Sequence, residues 1–142
     1  MWRTWFFLGI VSLATQPPAC ERQNAPAGPP ELLVGQRVSW VITSRDRPCS
    51  GSFAPCRVFQ VSANQTGVLL ASLTFESKTN GLRLEVWNGN NGHGTCCHSG
   101  ESVSIAVAKG DRAEMDVVLE ESRAENARQP FKLDTSIQES QQ

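Results

Sequence analysis

Cysteine and histidine are the residues of this chain best suited to chemistry, and there are five of the first and two of the second. His93, Cys96, Cys97 and His98 stand together in the stretch NGNNGHGTCCHSG, and Cys49 and Cys56 bracket the segment CSGSFAPC. Thiolates and imidazoles are acceptable zinc or copper ligands by type. Adjacent cysteines project divergently, however, and the spacing offers no C-x-x-C with a second pair. In an oxidising compartment a small domain uses its cysteines for disulfides instead. Cys49, Cys56, Cys96 and Cys97 are therefore disulfide candidates, and neither metal nor cofactor is expected. Three pairings are open. Joining Cys49 to Cys56 closes a short loop but leaves an adjacent pair whose bridge strains one peptide bond, whereas two bridges between the loops avoid that strain.

Nucleophilic catalysis needs a base and an orienting group held against a serine or cysteine. Both histidines belong to one loop, G-x-S-x-G is absent and no further histidine exists to relay a proton. Glu114 and Asp116 alternate with apolar residues, which reads as solvated charge rather than an acid/base pair. No enzyme is expected. Two tryptophans offer a different chemistry, stacking on a sugar or a side chain. Trp40 is in phase with Val38 and Ile42 and reads as core. Trp87 is out of phase with Leu82, Leu84 and Val86, so it faces outward next to the Asn/Gly stretch. A binding site, if present, is expected at Trp87, Asn88, Asn90, His93 and His98. Asn64-Gln65-Thr66 matches a glycosylation sequon, for which a turn is sufficient reason.

The body carrying these residues is small. The chain has 142 residues, 39% hydrophobic and 19% charged, with a net charge of −1. One domain fits that length, and no polyelectrolyte attraction to nucleic acid follows from that charge. The amino end carries Arg3 and then an uncharged run from Trp5 to Ala14. Ten residues are too few to span a bilayer, which takes about 20, but they suit a secretory signal. Ser12-Leu13-Ala14 meets the small-x-small preference for cleavage. Ala19-Cys20 resembles the end of a bacterial lipobox, with Cys20 acylated, although Pro17 and Pro18 replace its usual residues. Parity supports lipidation at Cys20, because it leaves four cysteines to pair. The following ERQNAPAGPPE suits a tether between a membrane and a folded domain.

From Leu32 onward the apolar residues recur with period two, the pattern of strands with one face in a core. Val38 and Ile42, Phe59 and Val61, Leu69 to Phe75, Leu82 to Val86, Val103 to Val107, Ala113 to Leu119, and Phe131 to Thr135 all follow it. Glu114 to Ala127 has some helical character, but Met115, Val117 and Leu119 keep the alternation and favour a strand followed by a polar loop. Turn-forming clusters at 63–67, 78–81, 88–94 and 109–111 separate the runs. The expected fold is all-β, an antiparallel jelly-roll-like sandwich of about seven to eight strands.

This order of strands resembles the bacterial pre-peptidase C-terminal (PPC) domain. The similarity lies in Phe59, Val61, Thr66, Gly67 and Leu69, in the strand LRLEVW, in the Ala-Lys-Gly-Asp turn at 108–111, and in the closing Pro130-Phe131-x-Leu133-x-Thr135. It covers roughly Glu31 to Ile137. NGNNGHGTCCHSG replaces the family's acidic Asn-Asp-Asp loop. The resemblance implies a jelly-roll-like sandwich without catalytic residues, an accessory or stand-alone surface module. The expected organisation is a signal peptide at 1–19, a tether at 20–30, the sandwich at 31–137 and a disordered tail at 138–142. The expected role is an interaction or scaffold domain at the cell envelope, periplasmic or at the cell surface. It is lipid-anchored or else secreted, has a protein or glycan partner, and does not bind nucleic acid.

Overall fold

The computed structural model describes residues 28–76, 81–96, 98–120 and 127–140. The segment expected to direct export, Cys20 and Cys97 lie outside the described residues. Among these described residues nine strands follow one another: β1 (Glu31–Leu32), β2 (Arg37–Thr43), β3 (Cys56–Ser62), β4 (Gly67–Phe75), β5 (Leu82–Asn88), β6 (Asn91–Cys96), β7 (Ser102–Val107), β8 (Arg112–Leu119) and β9 (Arg128–Gln138). They form two sheets, one ordered β1-β3-β8-β5-β6 and the other β2-β9-β4-β7. All pairs are antiparallel except β1 with β3, which is parallel. The all-β sandwich and the strand through Leu119 are as expected.

Alternation accounts for the core. Leu69, Ala71, Leu73 and Phe75 of β4 and Leu133 of β9 line the inner face of the four-stranded sheet; Phe59, Val61, Leu84, Val86, Met115 and Val117 line the facing one, and all are buried in one cluster. Fully burying a side chain of this size contributes about 1.5–3 kcal/mol. At one end, the β7–β8 turn is fixed by its side chains. Asp111 Oδ2 accepts from the Ala108 N–H and from Asn88 Nδ2, both at 2.9 Å, while Gly110 supplies the positive φ of 94° that the reversal requires. Those hydrogen bonds hold the Asp111 carboxyl below its ordinary pKa, the Ala108 bond being the larger cause.

Four features differ from the sequence reading. Among the described residues the strand count is nine, because two-residue β1 and glycine-rich β6 carry no apolar alternation. β6 turns much of the expected 88–94 turn into an edge strand paired to β5. β9 takes in Gln138, opposite Val68, where a frayed tail was expected to begin. Trp40 is the fourth. It has the inward phase of Val38 and Ile42, yet it is 40% exposed. Its strand, β2, is an edge, and the indole closes the gap between the sheets. It packs edge-on against Phe59 at 5.8 Å, with the Arg57 guanidinium 5.9 Å from its ring centre.

Candidate functional site

Ladder pairing determines which side chains share the outer face of the five-stranded sheet. Three cross-strand rows cross β3, β8 and β5: Cys56–Val118–Arg83, Val58–Asp116–Glu85, and Gln60–Glu114–Trp87. With Arg112, these residues, Cys56 apart, form the floor of a groove of about 940 Å³, and Gly28, Pro29, Cys49 and Ser50–Ser52 add to its lining.

The wall is built by the Cys49–Cys56 disulfide, which closes the CSGSFAPC loop with its Cα atoms 5.3 Å apart. Of the pairings left open by the sequence, this one is present. The Leu119 N–H donates to the Pro55 carbonyl at 2.9 Å and the Cys56 N–H to the Arg47 carbonyl at 3.1 Å, fastening the loop to the sheet. Covered in this way, Val118 is fully buried although it points away from the main core. Phe53, next to groove-lining Ser52, is fully exposed.

Asp116 corrects the sequence reading. Its outward phase was expected to make it a solvated charge, but it is only 7% exposed. Its carboxylate lies within 4.8 Å of both disulfide sulfurs, and Oδ1 has no hydrogen-bond partner. Burial pushes its pKa up to about 6; Glu114 and Glu85 add to the rise and Arg83 opposes it. Glu85 faces Asp116 directly across the ladder, a like-charge pairing that costs stability. Arg83 is shared by two other carboxylates, reaching Glu85 at 2.9 Å and also Glu120. Glu114, in contrast, is exposed as expected.

Trp87 bounds the open side, 38% exposed. Its six-membered ring lies against Gly92 of β6, where an added Cβ would come within 2.3 Å of Cε3 and Cζ3. Only glycine allows that contact. The other expected binding residues are placed elsewhere. His93 pairs with Val86, so its side chain leaves the sheet on the face opposite Trp87. Asn88 is engaged by Asp111 and by the Ala106 carbonyl at 3.0 Å. Asn90 is in the β5–β6 turn, and His98 is exposed beyond β6. Among the described residues, three possible metal-ligand atoms converge only at Cys49, Cys56 and Asp116, and there both sulfurs are already joined to each other. The groove can hold a proton on Asp116 up to about pH 6, stack an apolar or planar group on the indole, and balance a positive charge.

No protein-family model matches the sequence, and no curated protein matches it. The fold is that of the PPC domain, as the sequence resemblance implied. The structure is similar to the PPC domain of collagenase from Bacillus anthracis, with a TM-score of 0.52 and 10% identity over 80% of this chain and 99% of that one. It is also similar to PliG of Aeromonas hydrophila, a periplasmic inhibitor of g-type lysozyme, with a TM-score of 0.49 and 11% identity over 78% of this chain and all of that one.

Proposed function

We propose that this chain is an exported, non-catalytic interaction module of the bacterial cell envelope, anchored by lipid on Cys20, which binds a protein or glycan partner on the outer face of its five-stranded sheet. The observation that carries this reading is Trp87, an indole held outward on a glycine next to an open groove. A side chain that serves only the core has no need of that position. Export is supported by the Cys49–Cys56 disulfide, a bond that persists in oxidising compartments, and by the amino-terminal run from Trp5 to Ala14. Of the binding residues expected from sequence, Trp87 is retained for this surface; His93 faces away from it.

Titration with soluble envelope glycans and with peptides, followed by tryptophan fluorescence, tests this role. A saturable change that is lost in Trp87→Ala, with the far-ultraviolet spectrum unchanged, is expected. Binding that survives Trp87→Ala, or no saturable change with any probe, refutes it.

A further inference from the structure

The outer-face groove contains an imbalance that the fold does not resolve. Its floor carries three carboxylates, Glu85, Glu114 and Asp116, against two guanidiniums, those of Arg83 and Arg112. Arg83 is committed to Glu85 and Glu120. Arg112 belongs to the row beyond Glu114, opposite Ser62. Asp116 is thus more than nine-tenths buried, lines the groove, and keeps Oδ1 without a hydrogen bond. Oδ1 is sealed from solvent, so a cation entering the groove meets Asp116 through the part of the residue that lines the groove and compensates the buried charge from there. Its diagonal neighbour across β8 and β5 is Trp87, two residues past Glu85, with backbones about 7–8 Å apart for such a pair and the indole lying over Gly92 on the far side of β5. A long cationic side chain can lie along the indole face and carry its charge toward the carboxylate across that interval. A bare divalent ion fits less well, because Glu85, Glu114 and Asp116 do not bring their oxygens within a shared coordination sphere. Phe53, fully exposed on the disulfide-closed loop and next in sequence to groove-lining Ser52, adds an apolar contact that a small cation leaves uncovered and a protein surface covers.

We infer that the groove receives an arginine or lysine side chain of a protein partner, with Asp116 as its counter-ion, Trp87 as its stacking face and Phe53 as an apolar anchor at the rim. This rests on the binding role proposed for the Trp87 face and specifies what that face recognises. The ionisable groups facing Asp116 are Glu114 and Arg112 on its own strand and Arg83 and Glu85 on β5; β3 contributes only Val58 and Gln60, and the loop only Ser50–Ser52 besides the disulfide. Since Asp116 keeps its proton up to about pH 6, the cation binds to the ionised form and displaces that proton.

The experiment titrates the purified protein with an arginine-rich heptapeptide and with its citrulline counterpart, which keeps shape and hydrogen bonding but removes the charge. Saturable binding of the arginine peptide is expected, roughly tenfold tighter at pH 7.5 than at pH 5, with the citrulline peptide at least about tenfold weaker. Asp116→Asn, close to isosteric, abolishes both the charge preference and the pH dependence. Phe53→Ser weakens binding, and Glu101→Gln, a change to an exposed acid outside the groove, leaves it unaltered. Equal binding of the two peptides, or an Asp116→Asn variant that behaves like the parent, overturns the inference. If a glycan binds in a Trp87-dependent way while the arginine peptide does not, the cation inference falls and the binding role stands. If nothing binds, both fall.

Discussion

Asp116 is the residue at which stability and recognition meet. The folded carboxyl titrates at about 6, whereas an unfolded aspartate titrates near 3.9. Between those values the folded state holds a proton that the unfolded state has lost. Stability conferred by the neutral carboxyl is therefore complete below about pH 4, declines as pH rises to about 6, and is level above. Part of the carboxyl faces the groove, so the loss is on the order of 1–2 kcal/mol. Asp116→Asn removes it. The variant is expected to be more stable than the parent at pH 7 by about that amount and equal to it near pH 4, as measured by urea denaturation across that range. A constant difference at all pH values argues against burial as the cause. The same residue marks a limit of sequence reading. The period-two pattern gave its face correctly, but its burial depends on a loop some sixty positions earlier in the chain. Trp40 shows the converse: its inward phase was legible, and its exposure comes from β2 being an edge, a property of strand order.

Among the elements, strands with apolar alternation were legible and those held by backbone pairing alone were not. β5, with Leu82, Leu84 and Val86 buried, announces itself. Its partner β6 reads NGHGTC, and its glycines mark closeness to β5 rather than a turn, Gly92 lying under Trp87 and Gly94 beside Glu85. The Trp87 half of the candidate site was accordingly visible, while the groove next to it was not. That groove depends on the Cys49–Cys56 loop, one of three pairings the sequence left open. Closing a loop of this length stabilises by about 2.5 kcal/mol in the chain-entropy model. Replacing both cysteines by serine is expected to lower stability by about that amount and also to uncover Val118 and Asp116. The Asp116 pKa then falls toward the ordinary carboxylate range, and the pH-dependent decline in stability shrinks with it. Denaturation at pH 4 and pH 7 checks both effects together. A loss of stability with the pH dependence intact means that the loop does not bury Asp116.

For the whole molecule, the two sheets have little meaning apart from each other. Leu84 and Met115 on one and Leu73 and Leu133 on the other belong to a single buried cluster, and each sheet alone leaves an apolar face in water. The turn at 108–111 adds a direct tie, since Asn88 at the end of β5 reaches the Ala106 carbonyl of β7 in the opposite sheet. Such a body unfolds as one unit. Leu84→Ala and Leu133→Ala each remove a side chain without solvent contact, at a cost of about 2–5 kcal/mol. Against a total stability of about 5–15 kcal/mol for a domain, either change alone is tolerated and the pair approaches the limit. Each single variant is expected to shift one cooperative urea transition to lower denaturant. Tryptophan fluorescence, which senses Trp40 between the sheets and Trp87 on the outer face, should coincide with far-ultraviolet circular dichroism throughout. If Leu133→Ala unfolds the Trp40 environment before the strand signal is lost, the sheets are separable, and the groove on the five-stranded sheet does not rely on its partner for support.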